Sequence, residues 1–354
     1  MEQNRISGRT AHAIAASIER QLHGGQAGAG HALPTVRGLA ARLRVSPATV
    51  AAAYRVLRAR GLIAGHGRRG TRVVPRPPTP HASRRLIAPA GTIDLASGNP
   101  DPDLLPRLDR AVATLVPVRP LYGAPSVHPE LASLAAREFD ADGIPFASLA
   151  VVSGALDGIQ RVLHEHVRHG DRVAVEDPSY PGVVDLLSAS ALTPVPMGVD
   201  QDGPVPASMS AALDRGCRAL IVTPRAQNPT GAALSADRAA ELQRLIHRYP
   251  DVLVIENDYL APVAGSPART VRHAAHRHWV VIRSTSKFLG PDLRVAVMAG
   301  DALTVSRVHG RQAIGSRWVS HILQELVVGL WSDPSAGRWL LPAGSLRAST
   351  PRHQ

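Results

Sequence analysis

Arg283-Ser284-Thr285-Ser286-Lys287-Phe288-Leu289-Gly290-Pro291-Asp292-Leu293-Arg294 is the stretch on which the reading of this chain turns. It holds the only lysine in 354 residues, with serines one and three positions before it and an arginine seven after. Two hydroxyls and a guanidinium around one amine form a set that can bind a phosphate dianion through charge-assisted hydrogen bonds. The apolar run Trp279–Arg283 that leads into it reads as a buried strand. Earlier runs at Leu149–Val152, Arg172–Val175, Ala219–Val222 and Val252–Ile255 alternate with helical stretches such as Leu156–Val167 and Ala236–Arg248. That alternation predicts an α/β body with a mostly parallel sheet covered by helices. Ligands in such sheets bind beyond the carboxyl ends of the strands, so chemistry is expected in the polar clusters that follow these runs.

Those clusters come in a fixed order. They are Ser97-Gly98-Asn99-Pro100, Tyr122-Gly123, Ser153-Gly154-Ala155, Glu176-Asp177-Pro178-x-Tyr180-Pro181-Gly182, Gln227-Asn228-Pro229-Thr230-Gly231, Glu256-Asn257-Asp258-Tyr259 and the lysine stretch. Across about residues 93–330 this series resembles the fold-type I aminotransferases of class I and II. The resemblance implies pyridoxal 5'-phosphate as cofactor, with Lys287 supplying the amine for a Schiff base. It implies that Ser284, Ser286 and Arg294 hold the phosphate, joined by Ser153 and the amides of Gly154 and Ala155 where a helix opens after a strand. Tyr180 matches the family's ring-stacking aromatic, Asn228 its partner for the ring oxygen, and Tyr122 a phosphate contact made across a dimer interface. Asn257, Asp258 and Tyr259 fall beside the cofactor in the same way.

Three departures from that pattern bear on activity. Asn257 stands where the family has an aspartate for the protonated ring nitrogen, and a neutral amide cannot hold that proton as a carboxylate does. Asp258 takes over only if the strand end shifts. After Tyr122, Val127 and Ala132 replace the glycine and arginine common in the family. The chain stops about 67 residues after Lys287, and Leu341–Gln354 lacks apolar periodicity. The expectation is therefore that the small C-terminal domain is missing, by truncation or a shifted frame, and with it the arginine for a substrate carboxylate. Transamination is expected to be weak or absent, the alternative being a working aminotransferase with a fused DNA-binding head.

The formal charge of +12 is concentrated at the N-terminus, where residues 1–80 hold thirteen arginines against Glu2 and Glu19, a net of +11. Arginine-rich usage through genomic base composition explains why 39 of 40 basic residues are arginine, but not this asymmetry. A strongly positive module suits a polyanion, since phosphate neutralisation releases counterions. Helical spacing covers Ala11–Leu22 and Thr35–Leu43, with Thr35 as cap. Ser46 caps a third helix that starts at Pro47 and runs to about Arg60. Gly61 stops it, and Leu62–Val74 reads as a hairpin around a Gly-rich turn.

That order, with Leu33-Pro34-Thr35-x-Arg37-x-Leu39-Ala40, Val45-Ser46-x-x-Thr49-Val50, Ala53-Tyr54-x-x-Leu57 and Gly67-Arg-x-Gly-Thr71, resembles the winged helix-turn-helix of the GntR family. At the amino end of the third helix, Ser46, Pro47 and Thr49 are placed to reach base edges in the major groove of double-stranded DNA. Arg37, Arg42 and Arg44 are expected on the backbone, and His66, Gly67 and Arg68 at the minor groove. Tyr54 is counted with the DNA-contacting positions, although with Leu39, Val50 and Leu57 it also suits the core.

Residues 1–74 thus read as the head, 75–92 as a proline-stiffened linker, 93–335 as the body and 336–354 as an irregular tail. A GntR-type head before an aminotransferase-type body resembles the MocR regulators. That resemblance implies a homodimer whose head binds a promoter operator and whose body senses the cofactor or an amine or amino-acid effector. Cys217, the single cysteine, excludes an intramolecular disulfide, and no run of about 18 apolar residues is present. The N-terminus lacks the apolar core of a signal peptide, so the expectation is a soluble, cytoplasmic bacterial protein without a metal site.

Overall fold

A computed structural model describes residues 6–23, 30–59, 62–65, 70–74, 97–116, 119–146 and 148–333. The expected linker 75–92, the tail 336–354 and the wing residues His66, Gly67 and Arg68 lie outside the described residues. The chain divides into two compact units, one built on the N-terminal residues and one on most of the remainder.

In the head, α1 (Ala11–His23), α2 (Val36–Leu43) and α3 (Pro47–Ala59) precede a hairpin of β1 (Ile63–Gly65) and β2 (Thr71–Val73). Both caps read from the sequence form: Thr35 Oγ1 accepts from Gly38 N at 3.1 Å, and Ser46 Oγ accepts from Thr49 N at 3.1 Å. α2 ends at Arg44, whose φ of 54° puts it in the left-handed region. The turn between α2 and α3 follows directly. Ile14 and Ile18 of α1, Leu39 of α2 and Val50, Ala53, Tyr54 and Leu57 of α3 form the core. The α3 set recurs at i, i+3, i+4 and i+7, one stripe of a helix. Tyr54 corrects an expectation. It is 0% exposed and donates its hydroxyl to the Pro34 carbonyl at 2.8 Å, so it holds the core and cannot reach a groove. Burial pushes its phenol up to about 12.

The body runs α4 (Leu108–Ala113), α5 (Pro129–Ala141), β3 (Ser148–Val152), α6 (Ala155–His166), β4 (Arg172–Asp177), α7 (Pro181–Ala189), β5 (Thr193–Asp200) and β6 (Gly203–Pro204). It continues with α8 (Pro206–Asp214), β7 (Cys217–Val222), α9 (Ala236–Ile246), β8 (Leu253–Asn257), β9 (Trp279–Ser284), β10 (Ala296–Gly300), α10 (Ala302–Ala313) and α11 (His321–Ser332). The five apolar runs become β3, β4, β7, β8 and β9. They join an eight-stranded sheet of order β3-β10-β9-β8-β7-β4-β5-β6. β4, β7, β8 and β9 pair in parallel, and β10 is inserted antiparallel between β9 and β3.

α5, α8, α9 and α11 cover one face, where Leu131, Phe139, Met209, Leu242 and Val327 join Leu220, Val222, Val254 and Val281 in one buried cluster. α6 and α10 cover the other through Ile159, Val162, Leu163, Val305 and Val308. Strands buried on both faces have no polar side to alternate with, which is why they read as continuous apolar runs. No helix among the described residues is long and apolar enough to cross a membrane.

Candidate cofactor site and nucleic-acid face

The loop after β9 carries Lys287 beyond the carboxyl end of the sheet. Thr285, 1% exposed, anchors it by hydrogen bonds from its amide (3.1 Å) and hydroxyl (2.9 Å) to the Val295 carbonyl. Ser284 Oγ donates to Ser286 Oγ at 3.0 Å and accepts from the Ser286 amide at 3.2 Å, so the two hydroxyls sit together. Lys287 Nζ donates to the Gly98 carbonyl, which brings the Ser97-Gly98 segment to the lysine. Partial burial lowers its pKa from the ordinary ammonium value, which favours the neutral, nucleophilic amine.

Facing these serines is the start of α6. Arg294 Nη2 donates to the Ser153 carbonyl at 2.7 Å, and Gly154 has φ 98°. A Cβ at Gly154 would run into the Arg294 guanidinium, so only glycine lets that cation lie against the turn. Asp157 holds the same turn from inside, accepting from the Ser153 amide at 2.9 Å and from Arg161 Nε at 2.8 Å. The sequence reading missed Asp157, although an acidic residue in a helix's first turn is a recognised signal.

Strand alternation sorts the residues at the end of β8. Val254 and Val281 belong to the cluster under α5 and α9, so Glu256, Asp258 and Arg283 fall on that side of the pleat, while Asn257 and Ser284 face α6. Asn257 is 6% exposed, and its Oδ1 is buried with no hydrogen-bond partner. Asp258, expected beside the cofactor if the strand end shifted, lies elsewhere. It is 1% exposed and accepts from Arg225 Nε (2.7 Å) and Nη2 (2.8 Å) and from Arg283 Nε (3.0 Å). Both arginines also bind Asp142, whose side chain is 29% exposed, completing a cluster of two cations and two anions at the edge of the core. The strand end keeps its register through Asp258 N to Ile282 O, so no shift brings this carboxylate round.

Tyr180, 43% exposed, lies over Gly182 near Leu156 at the start of α6. Its loop is tied to that of Asn228 by Gln227, another residue the sequence reading passed over. Gln227 Nε2 donates to the Pro178 carbonyl (2.8 Å) and to Glu176 Oε2 (3.2 Å), while its Oε1 accepts from Thr230. Burial raises the Glu176 carboxyl to about 7. Tyr259 donates its hydroxyl to the Ala226 carbonyl at 2.9 Å and so braces the Asn228 turn. Tyr122 is not brought to Lys287 within this chain. It is 80% exposed, with Trp318 at 6.0 Å and the Arg317 guanidinium 4.6 Å from its ring.

In the head, Arg37 and Arg44 are exposed and unpaired among the described residues. Arg42 is half-buried, with Nη2 enclosed and unpartnered. Ser46 and Pro47 are exposed, and Ser46 Oγ lies 2.8 Å from Thr49 Oγ1.

A partly buried lysine after a strand end, two serines beside it and an arginine against a glycine turn, with a helix-turn-helix head before them, define a class: a GntR-type module joined to a fold-type I aminotransferase body. The chain belongs to the aminotransferase class I and II family, which it matches over residues 90–341, and residues 10–73 match the bacterial regulatory proteins of the gntR family. It is 44% identical over 330 residues to the vitamin B6 salvage pathway transcriptional repressor PtsJ of Salmonella typhimurium, covering 93% of this chain and 76% of that one. It is 28% identical over 301 residues to the HTH-type transcriptional regulator YcxD of Bacillus subtilis, covering 81% and 66% respectively. Among solved structures, a multiple substrate aminotransferase from Thermococcus profundus shares the fold with a TM-score of 0.65 at 20% identity, over 73% of this chain and 70% of that one.

Proposed function

We propose that this chain is a cytoplasmic, homodimeric transcriptional regulator whose body binds pyridoxal phosphate through Lys287 and changes the head's affinity for an operator when the cofactor, or an amine or amino acid reacting with it, is bound. The cofactor's fit rests on the orphaned Oδ1 of Asn257, aligned on the α6 side with Ser284, and on the Gly154 cradle that admits Arg294. When bound, pyridoxal phosphate supplies an aldehyde and an electron-withdrawing ring. Ser284, Ser286, Arg294 and the first turn of α6 hold its phosphate; Tyr180 and Asn228 flank the ring from two loops tied together by Gln227. The relative's printed role in vitamin B6 salvage supports a B6 compound as the sensed molecule.

One observation supports sensing over catalysis. Asn257 is neutral, and the adjacent carboxylate of Asp258 is held on the other side of the sheet by two arginines. Among the described residues, neither Asn257 nor Asp258 therefore offers an anion to keep a ring nitrogen protonated. DNA footprinting of the full chain with and without pyridoxal phosphate tests the reading: protection should change with cofactor and stop responding in Lys287→Ala. Cofactor-independent protection, or turnover of amino acid plus 2-oxo acid at ordinary enzyme rates, would reverse it. Exposed Val116, Leu121, Tyr122 and Ile314 on the body supply apolar surface for a dimer, checked by light scattering of the eluting protein.

A further inference from the structure

The outward face of α3 is unusual for a helix expected to read bases. With Val50, Ala53, Tyr54 and Leu57 turned inward, the positions opposite are Ala48, Ala52 and Arg55, at i, i+4 and i+7. Ala48 and Arg55 are exposed, and Ala52 is half-buried with Ala51 beside it. The only hydroxyls at this end are engaged with the helix itself: Ser46 Oγ caps the Thr49 amide and lies 2.8 Å from Thr49 Oγ1. Pro47 brings no donor. The first turns of α3 thus offer a groove methyl surface, and Arg55, unpaired among the described residues, is the first group on this stripe able to make a bidentate hydrogen bond.

We propose that α3 reads its half-site by packing Ala48 and Ala52 on the C5-methyls of thymines and by directing Arg55 to the O6 and N7 of a guanine on the far side of them. In the major groove the thymine methyl is the one apolar group on a base edge, and guanine is the preferred bidentate partner of arginine. Ala48 and Ala52 are one turn apart, about 6 Å along the axis, which corresponds to roughly two base-pair steps of about 3.4 Å. Arg55 is about 4.5 Å further on. The half-site is accordingly a pair of thymines within about two steps, followed by guanine. This inference rests on the DNA-binding reading and names what that reading leaves open.

The test uses the full chain, with and without pyridoxal phosphate. Selection from a randomised duplex library gives the preferred site; each selected thymine is then replaced by uracil, which removes only the methyl. Uracil at two positions should weaken binding by about three- to five-fold each, the value of one buried methyl. Arg55→Ala should flatten the preference at one guanine while retaining salt-sensitive binding to unrelated duplex. Uracil without effect at every thymine, or Arg55→Ala weakening all sequences equally, overturns the inference and leaves DNA binding standing. Absence of salt-sensitive binding to any duplex overturns the DNA-binding reading itself.

Discussion

Asn257 and Asp258 are neighbours in sequence and face opposite sides of one sheet, so a single peptide bond separates a buried, unpartnered amide oxygen from a carboxylate held by two arginines. Asn257→Asp would bury a charge where the present amide oxygen finds no hydrogen-bond partner among the described residues, lowering the stability of the cofactor-free protein by about 1–3 kcal/mol. Pyridoxal phosphate, whose ring nitrogen would then have an anion to pair with, should raise the variant's melting temperature more than the native chain's; an equal rise would mean that position 257 does not face the ring. Asp258→Asn leaves Arg225 and Arg283 buried with one carboxylate between them, at a cost of about 3–5 kcal/mol, measured as a lower urea midpoint at unchanged m-value. Glu256 gives a pH dependence of definite sign. It is fully buried, and burial outweighs its hydrogen bonds from the Thr270 hydroxyl and Val271 amide, pushing its pKa from 4.5 to about 7. The folded state therefore binds the extra proton, and the stability this contributes is complete below about pH 4.5 and lost as pH rises through about 7. Relative to Glu256→Gln, the native chain should lose up to roughly 3 kcal/mol between pH 5 and pH 8. Parallel melting curves of the two proteins at those pH values check it.

The start of α6 shows what one element demands of one residue. Gly154 needs both its positive φ and its missing Cβ, because Arg294 occupies the space a side chain would take. Gly154→Ala should weaken pyridoxal phosphate binding by about ten-fold or more in a spectral titration, since it strains the turn and displaces the guanidinium together. Unchanged affinity would place the phosphate elsewhere. The same element marks how far the sequence could be read. The positions of Gly154, Ser284, Ser286, Lys287 and Arg294 beside strand ends were legible because they lie in short local patterns, and the strands themselves because both faces are buried. β10 was not, because Ala296–Gly300 is brief, rich in small residues and antiparallel to its neighbours, so no crossover helix announces it. Nor was the fate of Asp258, whose partners Arg225 and Arg283 lie 33 and 25 positions away and meet Asp142 across 83 and 141. Local spacing carries no information about such contacts. Tyr54 was misassigned because a helix in a recognition motif has two faces, and only the packing of α1 and α2 against α3 says which is inward.

At the scale of the whole molecule, nearly all the net charge belongs to residues 1–80, while several body arginines are neutralised in place. Arg225 and Arg283 share Asp142 and Asp258, Arg238 pairs with Asp200 at 2.9 Å, and Arg161 with Asp157 at 2.8 Å. In the head, Arg37 and Arg44 stand exposed without a partner among the described residues. Unpaired cations on a strongly positive surface displace counterions from DNA most readily, so the salt dependence of binding by the full chain should report chiefly on residues 1–80, which carry +11 of the net +12. The logarithm of the binding constant should fall linearly with the logarithm of salt concentration, by about 0.9 per phosphate neutralised. Arg37→Ala and Arg44→Ala should each reduce that slope by about one, for operator and unrelated duplex alike. Arg238→Ala should leave it unchanged, because that guanidinium is already held by a carboxylate. Anisotropy titrations between about 50 and 200 mM salt resolve the difference. A slope that responded to Arg238 as strongly as to Arg37 would mean that the body meets the phosphate backbone too, and the division of labour between a DNA-binding head and a ligand-binding body would have to be abandoned.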